Sequence, residues 1–116
     1  MTASDRLRLG VEGEAAVAAW YTDRGYEVLA RNWRCRDGEL DLVLGLGRVF
    51  VFCEVKTRSS TAFGLPAEAV TRAKQVRLRR LAARWLDDAA PRRAREIRFD
   101  VASVLAGAIE VIEGAF

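Results

Sequence analysis

Gly38 to Arg58 reads GELDLVLGLGRVFVFCEVKTR, and the few polar residues in this stretch decide how the chain is read. Two apolar runs, Leu40 to Leu44 and Val49 to Val55, flank a glycine-rich connection, Gly45-Leu46-Gly47-Arg48; this is the composition of two strands joined by a hairpin loop. Successive side chains of a strand point to opposite faces, so Glu54 and Lys56 share a face, as do Glu39 and Asp41. If Leu44 pairs with Val49, Asp41 lies opposite Phe52 and Glu54 is its diagonal neighbour, at roughly 7–8 Å between backbones. Two carboxylates at that spacing reach one ion, whereas a slip of one residue would part them to opposite faces. An acidic pair beside a lysine suits Mg²⁺, with Mn²⁺ as a substitute, because the ion takes hard oxygen ligands and keeps several waters. The backbone carbonyl of Val55 is a further candidate ligand. Lys56 is placed to position or deprotonate a metal-bound water, or to hold a phosphate.

Composition narrows the chemistry. At 116 residues the chain is long enough for one core and not two, so residues 1–116 are expected to form a single domain. The chain contains no histidine, which removes Ser-His-Asp triads, zinc-histidine sites and histidine general bases. Catalysis must then use carboxylates, lysine or a metal. A net charge of +3 favours a polyanionic partner only weakly. No run of apolar residues is long enough to span a membrane and the first ten residues have no signal-peptide core, so a cytoplasmic location is expected. Cys35 and Cys53 match no zinc or redox spacing and are expected as reduced thiols. Of nineteen Lys and Arg residues only Lys56 and Lys74 are lysine. An ammonium is a compact point charge with a shiftable pKa, which a guanidinium cannot replace, so these two positions are singled out.

Outside the hairpin, Ser4 to Arg24 reads as a helix with Ser4 as N-cap and Gly25 at its end. Leu7, Val11, Glu14, Ala18 and Tyr21 form its stripe, and Glu14 interrupts a line expected to face the core. A carboxylate there needs a partner or a metal: Glu14 either joins the acidic cluster or pairs with a cation such as Arg31. Glu27 to Arg34 reads as a strand carrying a basic and aromatic cluster, Arg31, Asn32, Trp33, Arg34 and Arg36. That cluster suits phosphate contact and base stacking, or equally an edge strand with Trp33 in the core. Glu39 is assigned to a salt bridge across the hairpin. Thr57 and Arg58 open a small-polar loop running to Leu65, where hydroxyls and a guanidinium can meet phosphates. Pro66 and Glu68 suit the start of a helix extending to about Asp88, whose inward stripe is Lys74, Leu78, Leu81 and Trp85. Ile97 to Val104 and Ala108 to Ile112 read as the last strands, with Asp100 placed to orient a basic residue.

Asp41 followed by Glu54-Val55-Lys56 resembles the D…ExK core of the PD-(D/E)XK nuclease superfamily. The wider order also includes Gly13-Glu14, Ala30-Arg31-Asn32-Trp33-Arg34, Gly38-Glu39-Leu40-Asp41-Leu42 and Val51-Phe52-Cys53-Glu54-Val55-Lys56-Thr57-Arg58. It continues with Lys74, Arg98-Phe99-Asp100-Val101 and Gly114-Ala115-Phe116. This set resembles one bacterial branch, the YraN-like family, which is similar to archaeal Holliday-junction resolvases. The resemblance implies an α/β, three-layer restriction-endonuclease-like fold in the order αβββαββ, with a mixed central sheet flanked by helices. It also implies a metal-dependent endonuclease acting on DNA, with branched or repair intermediates among its substrates, and a homodimer. Asp41 and Glu54 would hold the ion, Lys56 and Glu14 would complete the catalytic set, and Lys74, Arg58, Thr57 and Arg31 would contact substrate. Two other classes remain open: a nucleic-acid binding module without turnover, and a structural or protein-interaction domain in which Glu54 is a salt-bridge partner.

Overall fold

The computed structural model describes residues 2–58 and 70–116. Helix α1 spans Ala3–Thr22. It begins on a capping box in which the Thr2 hydroxyl accepts the Asp5 N–H at 3.1 Å and the Asp5 carboxylate accepts the Thr2 N–H at 3.0 Å. Two orphan donors are thus satisfied reciprocally, and Thr2 takes the capping role expected of Ser4. Three strands follow, β1 (Glu27–Cys35), β2 (Gly38–Leu46) and β3 (Val49–Arg58), then helix α2 (Arg72–Asp88) and strands β4 (Glu96–Leu105) and β5 (Ala108–Ile112).

The strands form one sheet in the order β1-β2-β3-β4-β5. Only β3 and β4 run parallel; the other pairs are antiparallel. Alternation sends Leu42, Leu44, Val51, Cys53, Ala102 and Val104 to the face covered by Val17, Ala18 and Tyr21 of α1. Val43, Phe50, Phe52, Phe99 and Val101 go to the other face, under Leu78, Leu81, Ala82 and Trp85 of α2. Trp85 meets Phe50 and Phe52 edge-on, with ring centroids 5.8 and 5.7 Å apart, a geometry the ring quadrupoles favour. A mixed sheet between two helices in the order αβββαββ is a restriction-endonuclease-like arrangement. No helix among the described residues is long and apolar enough to cross a membrane. Both cysteines are free, and burial pushes the Cys53 thiol up to about 12, which leaves it unreactive.

Three expectations need correction. First, Leu46 pairs with Val49 and Leu44 with Val51, so the hairpin turns on Gly47 and Arg48 alone. Gly47 has φ +60°, and a two-residue loop with positive φ at its first position follows the strand twist better than a four-residue loop. The shift from the expected register is two residues, so every side chain keeps its face. Second, Leu7 and Val11 are 72 % and 60 % exposed: α1 meets the sheet through Gly13, Val17, Ala18 and Tyr21, and its first turns run past the sheet. Third, α2 starts at Arg72 on its own N-cap, the Thr71 hydroxyl accepting the Lys74 N–H at 3.2 Å, so no continuous helix runs from Pro66. Pro66, Glu68 and the loop from Ser59 to Leu65 lie outside the described residues.

Candidate functional site

The site forms where two strands separate. The β2–β3 ladder ends at Leu42↔Cys53, while β3 continues to Arg58 along β4 and β2 continues back to Gly38 along β1. Beyond that point the Val55 N–H has no β2 backbone partner. The Asp41 carboxylate takes its place, its Oδ2 accepting the Val55 N–H at 2.9 Å, as a buried donor requires. In an extended strand the N–H and C=O of one residue point to the same side, so the Val55 carbonyl also faces the opening. The two-residue register shift brings Asp41 level with Glu54, where a diagonal relation was expected.

Asp41, Glu54 and Lys74 line an open cleft of about 380 Å³, with Asp37, Gly38, Glu39, Arg77 and Leu78. Behind the carboxylates is a void of about 10 Å³ closed by Leu40, Phe52, Leu78 and Phe99, so their inner side is apolar. The electrostatics follow. Burial, then the charge of Glu54, raise the Asp41 carboxyl to about 7, with Glu14 adding to the rise and the Val55 N–H opposing it. Glu54 Oε1 is shared by two cations, Lys74 Nζ at 2.7 Å and Lys56 Nζ at 3.4 Å. Lys56 is pushed below its ordinary value by burial and by Lys74 beside it. Burial is the largest single influence on Lys74 and pulls it down, but the hydrogen bonds to Glu54 and Lys56 and the charges of Glu54 and Asp41 together outweigh it and hold Lys74 above its ordinary value. The chain's only two lysines therefore meet on one carboxylate oxygen.

The remaining expected residues are placed less uniformly. Glu14 on α1 reaches Asp41 through its field and forms no ion pair with Arg31 among the described residues. Thr57 faces α1, packed on Gly13, on the opposite side of the sheet from Glu54 and Lys56. Arg31 is exposed on β1 and is not among the residues lining the cleft. Trp33 packs against the core under α2, which leaves the arginines of its cluster as the polar part. Arg34 bridges to Glu39 at 2.8 Å, the cross-hairpin pair expected for Glu39. Arg58 is the last residue of β3. Arg77, beside Lys74 on α2 and a flanking candidate for phosphate or carboxylate contact from its position in the sequence, lines the cleft. So does Asp37, whose place before Gly38 marks a turn and carries no sign of the site.

Gly13 sets the approach of α1. A Cβ there would fall inside the contact radius of Thr57 Oγ1, and a β-branched side chain held in a strand has little room to move. Gly13→Ala is expected to cost about 1–3 kcal/mol through overpacking and to lift Glu14 away from Asp41. Urea denaturation of Gly13→Ala, Thr57→Ala and the double variant measures this: the double variant should recover part of the loss, and strictly additive losses would show that the two do not collide.

Among the described residues no three acidic or thiol side chains converge tightly enough to hold an ion alone. Asp41, Glu54 and the Val55 carbonyl nonetheless suit Mg²⁺, which completes its shell with waters and substrate oxygens. Burial and the Glu54 charge raise the proton affinity of Asp41, and a divalent cation would relieve that strain.

Residues 13–104 match the family described as Uncharacterised protein family UPF0102. A UPF0102 protein of Beutenbergia cavernae is 56% identical over 114 residues, covering 96% of this chain and 94% of that protein. One from Frankia casuarinae is 50% identical over 121 residues with both chains fully covered, and one from Moorella thermoacetica is 49% identical over 118 residues, covering 96% and 97%. With likeness of this extent on both sides of the Asp41 and Glu54 pair, the chain belongs to the UPF0102 family, the YraN family whose pattern its sequence resembles.

Proposed function

We propose that the protein is a metal-dependent nuclease hydrolysing phosphodiester bonds in DNA, working in the cytoplasm. The observation that carries this reading is the Asp41 carboxyl, raised to about 7 by burial beside Glu54 while both of the chain's lysines converge on the same few ångströms. Asp41 and Glu54, with the Val55 carbonyl, would hold Mg²⁺. The bound cation supplies Lewis-acid polarisation of the phosphate and of an attacking water. Lys56, whose depressed proton affinity favours loss of its own proton, would in that neutral form accept one from the attacking water. Lys74 stays charged and offsets the negative charge that builds on the phosphate oxygens. Arg77 at the cleft wall holds a neighbouring phosphate.

The second reading, a binding or structural domain, is favoured by the Glu54–Lys74 and Glu54–Lys56 ion pairs, which satisfy Glu54 without any ion. It leaves the raised Asp41 unexplained. The test is a Mg²⁺ and Mn²⁺ titration against single-stranded, duplex, flapped and four-way DNA, with Glu54→Ala in parallel. The expected result is metal-dependent cleavage that falls at least about a hundredfold in Glu54→Ala. Salt-dependent binding shared by both proteins, with no metal-dependent product, would move the assignment to a binding module.

A further inference from the structure

We propose that Asn32 is the positioning residue for Asp41, acting through its backbone. Asn32 lies in the middle of β1 with φ +48°, a left-handed conformation inside a strand whose neighbours are extended. Asparagine tolerates that region better than any residue with a larger or branched side chain. Its effect is visible in the ladder. Arg31 pairs with Leu42 and Trp33 with Leu40, but Asn32 and Asp41, which lie opposite each other between these pairs, do not bridge.

The interruption turns both strands over. Leu42 and Leu44 pack on the α1 face, and strict alternation would send Leu40 there too. Leu40 packs instead on the α2 face, together with Trp33 from the other strand. A local irregularity that re-aims side chains beside a functional site is a recognised use of bulged strands. The β2–β3 ladder ends at the neighbouring pair, Leu42↔Cys53, so Asp41 belongs to neither ladder. That release is what lets its carboxylate take the Val55 N–H and stand level with Glu54. The cleft also gains its apolar floor from the same turn, because Leu40 lines the void behind the carboxylates. A β-favouring residue at position 32 would restore regular pairing, send Leu40 toward α1 and draw Asp41 back into the ladder.

Two variants separate the backbone from the side chain. Asn32→Gly keeps the left-handed conformation and loses the amide; Asn32→Val disfavours that conformation. Two readouts are taken on the full chain: hydrogen exchange of the Val55 amide in metal-free protein, and Mn²⁺ affinity by electron paramagnetic resonance. The second readout rests on the nuclease reading and the first does not. Asn32→Gly should match the parent in both. Asn32→Val should lose the Val55 protection while amides of β4 and α2 keep theirs, and should bind Mn²⁺ roughly ten- to a hundredfold more weakly. Should Asn32→Val fail to fold, Asn32→Ala, which also lacks the amide and disfavours the left-handed region, takes its place in the same comparison. Parental Val55 exchange in the valine or alanine variant would overturn the inference. So would equal losses in Asn32→Gly and Asn32→Val, which would place the effect in the side-chain amide. A parent that binds no Mn²⁺ would sink the nuclease reading, while the Val55 amide still decides the role of Asn32.

Discussion

Asp41→Asn is expected to make the metal-free protein more stable than the parent above pH 7, and to abolish metal-dependent cleavage. The sign follows from the raised carboxyl. Asp41 titrates near 7 in the folded chain because of burial and the adjacent Glu54 charge, and near the ordinary carboxylate value when unfolded. Between those limits the folded state holds a proton that the unfolded state has released, so stability falls as pH rises through this window. The penalty is absent below about pH 4 and complete above pH 7, and each unit between them is worth about 1.4 kcal/mol. Asparagine keeps an oxygen for the Val55 N–H and carries no charge, so the pH dependence should flatten. In the parent, Mg²⁺ should flatten it as well by favouring the carboxylate. Urea unfolding at pH 5 and pH 8 without metal decides the matter: a parent equally stable at both, or Asp41→Asn less stable than the parent at pH 8, would refute the account.

The largest loss of stability is expected on the opposite face of the sheet from Glu54, at Asp100, which pairs in register with Cys53. This carboxylate is fully buried and serves four donors. Tyr21 Oη donates to it at 2.6 Å, Arg98 Nε and Nη2 at 2.8 and 3.0 Å, and the Gly114 N–H at 3.0 Å. It ties α1, β4 and the segment after β5 together. Asp100→Ala would leave the Arg98 guanidinium and the Tyr21 hydroxyl without their acceptor, and removing one member of a buried pair costs about 3–5 kcal/mol. A loss of unfolding free energy below about 1 kcal/mol in urea denaturation would mean that water or Glu113, 3.8 Å from Arg98, replaces the carboxylate at little cost.

How much of this was legible in the sequence differs from residue to residue. Asp41, Glu54 and Lys56 stood out because charged residues in apolar strands are costly, and Lys74 because arginine serves at every basic position except Lys56 and Lys74. The side of the sheet they share survived an error in register, since a shift of two residues preserves the face. The register itself was hidden, because Gly45 and Gly47 both permit a turn and only the paired backbone chooses between them. The exposed first turns of α1 were hidden too: the Leu7 and Val11 periodicity marks an apolar face without saying whether the sheet extends beneath it. Asp100 was read as a partner for a basic residue, and Arg98 fills that role, but Tyr21 and the Gly114 N–H come from distant parts of the chain. Asn32 was read as one residue of a basic and aromatic cluster. Its importance lies in a backbone angle, which residue identity permits and does not announce.

Glu54 held by Lys56 and Lys74 has a consequence for encounter with a polymer of phosphates. With Asp41 ionised, two negative and two positive side chains stand within one small volume, and their sum is zero. An acidic pair alone would repel a nucleic acid strand before the strand could touch it. On the nuclease reading a neutral quartet would present no such barrier, so a strand's approach would be governed by the charges around it, Arg77, Asp37 and Glu39 among them, and the quartet would become decisive only once a phosphate is within reach.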